Sequence, residues 1–461
     1  MAETLVGNWP QFWTGNQIKG WGANAGVDNQ SYPIMGNPGQ GMIGVTANTV
    51  QISLTVTPIT SVYVLQAGPV AVTITFLSPV EQSIPLFYLS ISVVPTDGKS
   101  HSIQIEADIS AEWANGHRTV QVQWATDSTV TVNGGILQTF TVESTQQTVF
   151  SWGTVVWSNL NANRLTWQSG DDAITIRKAF CSNGTLGNTN DATFRAINAG
   201  YPIFAFSNDL GSVGSTASQT LTDSIGHVRA QAIQRQSQTV NAYWTNYDWQ
   251  GLLQYFYNEY PNAVPRNSAL DSKTTNAATA AYGNHYAAIL ALATRQAFGG
   301  MEFVNPTAEP YLMLKEISAD DIANLALKGI LAIGEMGRIS NLVGNSANAS
   351  HYTSTAQSYI STWNTNTMDS SGKFVNLESG KVGTYELIYN AFPYQKSAWE
   401  RWIAASSNAT SVAQVFVDDL FHFLKTSPSH VPFTDNYNTV ADTQKASILA
   451  KGLEIAGLPA P

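Results

Sequence analysis

Cysteine is nearly absent. The single thiol, Cys181, excludes an internal disulfide and any cysteine-based metal site. Charge is scarce as well: Asp, Glu, Lys and Arg make up 12% of the chain, about half the share of roughly 25% in ordinary globular proteins. No basic cluster occurs and the net charge is -10, which argues against nucleic acid or an anionic membrane as a partner. No run approaches the ~20 apolar residues of a membrane-spanning helix. The opening MAETLVGNWPQFW has no basic stretch followed by an apolar one, so no secretory leader is read there. No Gly-x-Ser-x-Gly nucleophile elbow is present. The seven histidines show neither an i,i+4 pair nor a zinc-ligand spacing.

Asn, Gln, Ser and Thr supply the polarity instead, and aromatics reach 11% with 13 Trp, which excludes a disordered chain. Four glycosylation sequons occur, at Asn29, Asn183, Asn348 and Asn408. With so few charges they point to a secreted or cell-wall protein.

Apolar residues follow period two in the first half. Val70, Val72, Ile74 and Phe76 share one face, as do Ile103, Ile105 and Ala107, and Val120, Val122 and Trp124. Asp97-Gly98, Asn115-Gly116 and Asn133-Gly134 mark turns. Many strands with one apolar face each predict two packed antiparallel sheets, a β-sandwich over residues 1–211. YPIFAF at 201–206 reads as a buried strand and Asn208–Gly211 as its turn. GQGMIG at 39–44 is formally a dinucleotide fingerprint, but a strand pattern follows it where the motif needs a helix, so it reads as a loop.

Residues 212–461 are predicted helical. Ser268…Asp271, Ser318…Asp321, Ser397…Glu400, Ser411…Gln414 and Thr439…Asp442 fit the capping box or a close variant. Gly299, Gly344 and Gly457 stand where helices should stop. Residues 322–343, with glycines at 329, 334 and 337, suit an inner helix of a toroid.

Chemistry candidates are few. Cys181 has no nearby base and reads as inert. Ser370–Lys373 lies in a glycine turn, where a Ser-x-x-Lys pair does not belong. His227 and Arg229 stand together just past the expected seam. Asp108 and Glu112 lie at a strand end, where loops collect function. Asp271 and Asp321 fit helix caps, and Asp320 beside Asp321 could form a catalytic pair or answer a helix dipole. Lys315 and Glu316 follow the apolar run YLML. The aromatic groups at 243–249 and 398–402 could line a polar pocket or simply pack.

FLSPVEQSIPLFYLSISV, DGKSHSIQIEADISAEW, FRAINAGYPIFAFSNDLG, IGHVR, RQAFGG, LKEIS, NLALKGI, KSAWERW and PFTDNYNT occur in this order. In that order they resemble the fungal secreted glutaminase A family. The resemblance implies a β-sandwich followed by an α/α-toroid-like helical domain. It implies hydrolysis of L-glutamine to L-glutamate and ammonia, with no organic cofactor and no metal required. Water attack assisted by carboxylates or a lysine is expected, with Asp271, Lys315, Glu316, Asp320 and Asp321 as catalytic candidates. Asp108, Glu112, His227 and Arg229 are the binding candidates.

The chain departs from the family's pattern in several places. Ser318 runs directly into Ala319-Asp320-Asp321, and Phe392 nearly into KSAW, where family segments are missing. The stretch after Val80 is shortened, and the tail from Ala441 differs. The helical domain is therefore expected to be incomplete. Two alternatives stand beside the first reading: a catalytically inactive shortened relative, and a carbohydrate-active enzyme using two carboxylates.

Overall fold

The computed structural model describes residues 4–10, 18–37, 39–79, 84–146, 153–160, 164–170, 173–235, 238–242, 248–299, 301–305, 311–314 and 346–368, with isolated positions from 327 to 337 and from 370 to 444. The chain divides into two compact units. One comprises Met1–Ala277, Leu290–Lys315 and Leu453–Pro461, the other Ala278–Ile289 and Glu316–Gly452.

The first unit is built on two sheets. Hairpin β1 (Trp21–Val27) and β2 (Gln30–Met35) is followed by a one-turn helix α1 (Gln40–Ile43) within the glycine-rich stretch. A meander follows: β3 (Thr49–Val56), β4 (Thr60–Ala67), β5 (Val70–Leu77) and β6 (Leu86–Pro95). Next come β7 (His101–Ser110), β8 (Gln121–Asp127), the small hairpin β9 (Thr131–Val132) and β10 (Gly135–Ile136), β11 (Gln138–Ser144) and β12 (Thr154–Asn159). Then β13 (Leu165–Ser169), α2 (Ala173–Asn183), β14 (Thr189–Asn190), β15 (Arg195–Ala196), β16 (Ile203–Val213) and β17 (Leu221–Val228) complete the sandwich. The six-stranded sheet runs β14-β13-β16-β7-β1-β2 and the nine-stranded sheet β15-β8-β11-β12-β17-β6-β5-β4-β3.

The predicted alternation holds. Val70, Val72, Ile74, Ile103, Ile105, Ala107, Val122 and Trp124 are buried in one core with Trp21, Trp157, Phe204 and Phe206. Phe76 sits at its margin, edge-on to Trp21 with ring centroids 5.1 Å apart. Such edge-to-face pairs favour their geometry over a face-to-face stack because the ring faces are electron-rich. Asn133 and Gly134, at φ 49° and 81°, make the tight turn the dipeptide predicts.

Two expectations near the seam are corrected. Asn208–Gly211 does not turn the chain; β16 runs through it with a register shift between Asp209 and Gly211. Asp209 accepts the Gly211 N–H at 2.9 Å and Gly211 takes φ 66°, so the turn-forming chemistry makes a bulge instead. Strand structure also continues past residue 211. β17 lies between β12 and β6 in the middle of the nine-stranded sheet. β18 (Gln231–Arg235) and β19 (Gln238–Ala242) pair with β20 (Met301–Asn305) and β21 (Tyr311–Leu314). The expected boundary at 211 therefore falls inside a strand. Partners lying far away in sequence decide these pairings, and a local window does not see them.

Helix α3 (Trp249–Gly299) ends at the predicted glycine but starts earlier than expected, so Ser268…Asp271 opens no helix. It is broken at Tyr282 and Gly283, whose backbone angles are not helical. Its first part packs on the nine-stranded sheet, where Tyr88 stacks on Phe256 with centroids 3.9 Å apart and Tyr257 donates to the Ser158 carbonyl at 2.9 Å. In the second unit, helix α4 (Ser346–Thr367) meets Gly334 and Gly337. A Cβ on Gly337 would come 2.7 Å from Thr353 Oγ1, so the backbone approaches α4 closely there. The other expected capping boxes and the stops at Gly344 and Gly457 lie outside the described residues, apart from helical Gln414.

Candidate functional site

The site grows from one face of β7. Ile103, Ile105, Ala107 and Ile109 point into the core, so Glu106, Asp108 and Ser110 must take the other side of the pleat. The adjacent strand β1 leaves room for them. It pairs Gly22 with Asp108 and Asn24 with Glu106, and a Cβ on Gly22 would lie 2.9 Å from Asp108 Oδ2.

Helix α2 lays Arg177 over this face. Its Nε donates to Asp108 Oδ2 at 2.8 Å and Nη2 to Oδ1 at 2.5 Å, a bidentate buried pair. The Trp9 ring lies 5.1 Å from the guanidinium carbon. Burial works against the Arg177 charge, but Asp108, Glu106 and Glu112 together hold its pKa above the ordinary value. Glu106, bonded by Asn24 Nδ2 at 2.8 Å, is pushed well above the carboxylate range, first by burial and then by the Asp108 charge. The pair Asp108–Arg177 is thus a fully enclosed ion pair beside a second buried carboxyl, Glu106. Cys181 stands near it, its thiol pushed up to about 11 by burial, consistent with an inert cysteine.

The open end of the strip lies beyond Ser110. The Ser110 hydroxyl accepts from Glu112 N and caps the short 3-10 turn Ala111–Trp113. Glu112 Oε2 accepts from Gly20 N and from Ser110 Oγ, both at 3.0 Å, and Oε1 meets Arg118 Nη2 at 2.7 Å. Lys19 Nζ donates to the Glu112 carbonyl at 2.5 Å. Burial lowers the Lys19 pKa to about 7, Glu112 opposes that shift, and Arg118 adds to it. His227 on β17 is within electrostatic reach of Lys19. Burial, then the Arg229 charge, lowers the His227 pKa to about 4, and its Nε2 has no hydrogen-bond partner among the described residues. At neutral pH this histidine is uncharged. A cavity of about 300 Å³ opens here, lined by Ile18, Glu112, Asn115, His117, Arg118 and Thr119. Tyr201 lays its ring 5.5 Å from the Arg118 guanidinium carbon.

The structure thus brings Glu112, His227 and Arg229 into one electrostatic neighbourhood through Lys19, while Asp108 serves the enclosed pair with Arg177. Asp271 is buried in the middle of α3. Its Oδ1 accepts from Ile59 N at 3.0 Å and its Oδ2 from Thr57 Oγ1, while Arg295 Nε donates to the Thr57 carbonyl at 2.7 Å. That geometry ties the helix to the β3–β4 turn and is neither a helix cap nor an open acid. Lys315, Glu316, Asp320 and Asp321 lie outside the described residues, as do Asn408, residues 243–247 and residues 398–402. Asn29, Asn183 and Asn348 are exposed. In the second unit His285 Nδ1 meets Asp418 Oδ1 at 2.6 Å and its ring stacks on Phe421, an exposed pair that no local spacing announces. Among the described residues no three His, Cys, Asp or Glu side chains are grouped to hold a metal, and no helix is long and apolar enough to cross a membrane.

Sequence reasoning missed Lys19, Glu106, Arg118, Arg177 and Tyr201. For Glu106 the signal was available in the same alternation that placed Asp108. The regular small residues of β1, GWGANAG, hinted at bulky partners across the ladder.

An antiparallel sandwich that leads into helices, with a polar pocket at one end of the sandwich, defines a two-part β-plus-α protein. Two family models match it: "Domain of unknown function (DUF5127)" over residues 59–277, and "Glutaminase A six helical-hairpin domain" over 283–322, 320–395 and 392–453. Glutaminase A of Aspergillus oryzae is 33% identical over 386 residues, covering 76% of this chain and 55% of that protein. The Arthroderma benhamiae protein named "Probable glutaminase" is 27% identical over 354 residues, covering 68% of this chain and 40% of that protein. The chain belongs to the glutaminase A family. It spans about half the length of the curated relatives it matches. A bacterial glucoamylase complexed with acarbose aligns with TM-score 0.36 and 9% identity over 79% of this chain and 65% of that one, a likeness too low to argue from.

Proposed function

We propose that this chain is a hydrolase that opens the side-chain amide of L-glutamine. Water adds to the amide carbon, the carbon–nitrogen bond breaks, and L-glutamate and ammonia leave. The observation that carries this reading is the 33% identity to Glutaminase A over 386 residues. Lys315, Glu316, Asp320 and Asp321 are the proposed groups for water activation and proton transfer. Glu112, Arg118, His227 and Arg229 are proposed to hold substrate. Hydrolysis of an amide needs no organic cofactor. Secretion with glycans on Asn29, Asn183, Asn348 and Asn408 fits the exposure of the first three.

A second reading, an inactive shortened relative, has its own support. The helical-hairpin model matches in three pieces that join at 320–322 and 392–395. Those are the places where family segments are missing from the motif order. One assay separates the two readings: ammonia release from glutamine, with asparagine and a glycoside panel alongside and circular dichroism as the fold check. Ammonia from glutamine supports the hydrolase. A folded chain that releases none overturns it in favour of the inactive relative.

A further inference from the structure

His101 opens β7 with a carboxylate against each of its ring nitrogens. Nδ1 lies 2.5 Å from Asp28 Oδ2, and Nε2 lies 3.0 Å from Asp97 Oδ1. A neutral imidazole carries one N–H and one lone pair, and a lone pair aimed at a carboxylate is repelled. The imidazolium, with two N–H groups, donates to both. The residue is 7% exposed, so little water reaches the ring to replace either contact.

The two acids belong to different turns. Asp28 sits with Asn29 at the tip of the β1–β2 hairpin, at φ 49° and 68°, the left-handed backbone of a tight turn. Its N–H donates to the Ser102 carbonyl at 3.0 Å, and its Oδ1 accepts from Ser102 N at 2.9 Å. Asp97 lies in the β6–β7 turn, where its Oδ1 also accepts from Lys99 N at 2.9 Å. The charged groups that face the ring are thus Asp28 from one turn and Asp97 from the other, with Lys99 beside Asp97. Strand β16 brings Val213 opposite His101, and β1 ends at Val27, so neither strand adds a charge.

We propose that His101 is the pin of a pH-sensitive clamp. As an imidazolium it ties the β1–β2 tip, which carries the Asn29 sequon, to the β6–β7 turn. When the ring loses its second proton, one of the two contacts becomes repulsive and the tip comes free. This device does not rest on the glutamine reading. Bonding to Asp28, then to Asp97, raises the His101 pKa above the ordinary 6.5, against a smaller opposing effect of burial. The clamp is therefore whole below pH 6.5 and is lost as pH rises through the raised value. The bond from His101, ahead of those from the Ser102 and Lys99 N–H groups, lowers Asp28 and Asp97 below the ordinary 3.8. On the acid side the clamp is whole above 3.8 and fails as pH falls through those lowered values.

The test is hydrogen exchange of the intact chain at pH 5.5 and 8.5, each amide corrected for its intrinsic rate. The Asp28 and Ser102 amides are compared with the Ala25–Ile105 rung of the same ladder. Changes in global stability cancel in that ratio. Protection of Asp28 and Ser102 should fall severalfold at pH 8.5 while the reference rung holds. The His101 ring, followed by NMR, should titrate above 6.5, and Asp28→Asn or Asp97→Asn should each bring it down. His101→Gln should leave the two amides weakly protected at both pH values. A parent ring that titrates at or below 6.5 would overturn the proposal, and this reading needs no variant to fold. Equal relative protection at the two pH values, or His101→Gln protected like the parent at pH 5.5, would overturn it as well.

Discussion

Lys19 is the side chain whose environment most alters its chemistry. An ordinary lysine titrates near 10.5, and burial brings Lys19 down to about 7. The unfolded chain therefore holds a proton between pH 7 and 10.5 that the folded chain has released. Stability must rise with pH across that window and be lowest below it, by up to about 5 kcal/mol. Lys19→Met should remove this slope and stabilise the protein at pH 6. Urea unfolding at several pH values checks it, and an unchanged slope in the variant would place the cause elsewhere. Asp108 shows the limit of local reading. Its place on a strand end was legible, but its use was decided by Arg177, 69 residues away. Glu112 was legible for the same reason, whereas Arg118 sits in a loop whose composition does not distinguish it from solvent-facing charge.

The logic of β1 and β7 is the clearest at the level of elements. One strand carries side chains with charge, and its neighbour yields the space. Gly22→Ala should therefore destabilise the fold, because its Cβ would lie 2.9 Å from Asp108 Oδ2 and 3.3 Å from Arg177 Nε, and both are locked in a buried pair. Gly26→Ala meets Gln104 Oε1 at 3.1 Å, the far end of a flexible side chain that can move. The expected difference is about 1–3 kcal/mol, measured by denaturant unfolding of the two variants. Equal effects would mean the Asp108–Arg177 pair yields easily. The period of two announced most sandwich strands because alternation is set within the strand. β17 escaped because its polar residues, Thr222, Asp223 and Ser224, are themselves buried. A strand covered on both faces shows no polar-out alternation. Asp271 misled in the opposite way: its capping pattern is real, but tertiary contacts carry the helix straight through it.

For the molecule as a whole, the junction expected at residue 211 gives way to another. The two family models meet between residues 277 and 283, and α3 breaks at Tyr282 and Gly283. We propose the domain junction there. Limited proteolysis of the native chain should yield a fragment ending near residues 277–290. Early cleavage near 211 would count against it, since that backbone is paired within a sheet.

Amino-acid order alone established the sandwich, the faces of its strands and the family. Those properties follow from alternation, turn dipeptides and motif order, all of which act over a few neighbouring positions. Folding in three dimensions assigned the rest: which acid is enclosed and which lies beside a cavity, and which lysine has its pKa lowered by burial. These depend on partners such as Lys19 and Glu112, 93 positions apart, and on burial, and neither burial nor distance in space is written along the chain.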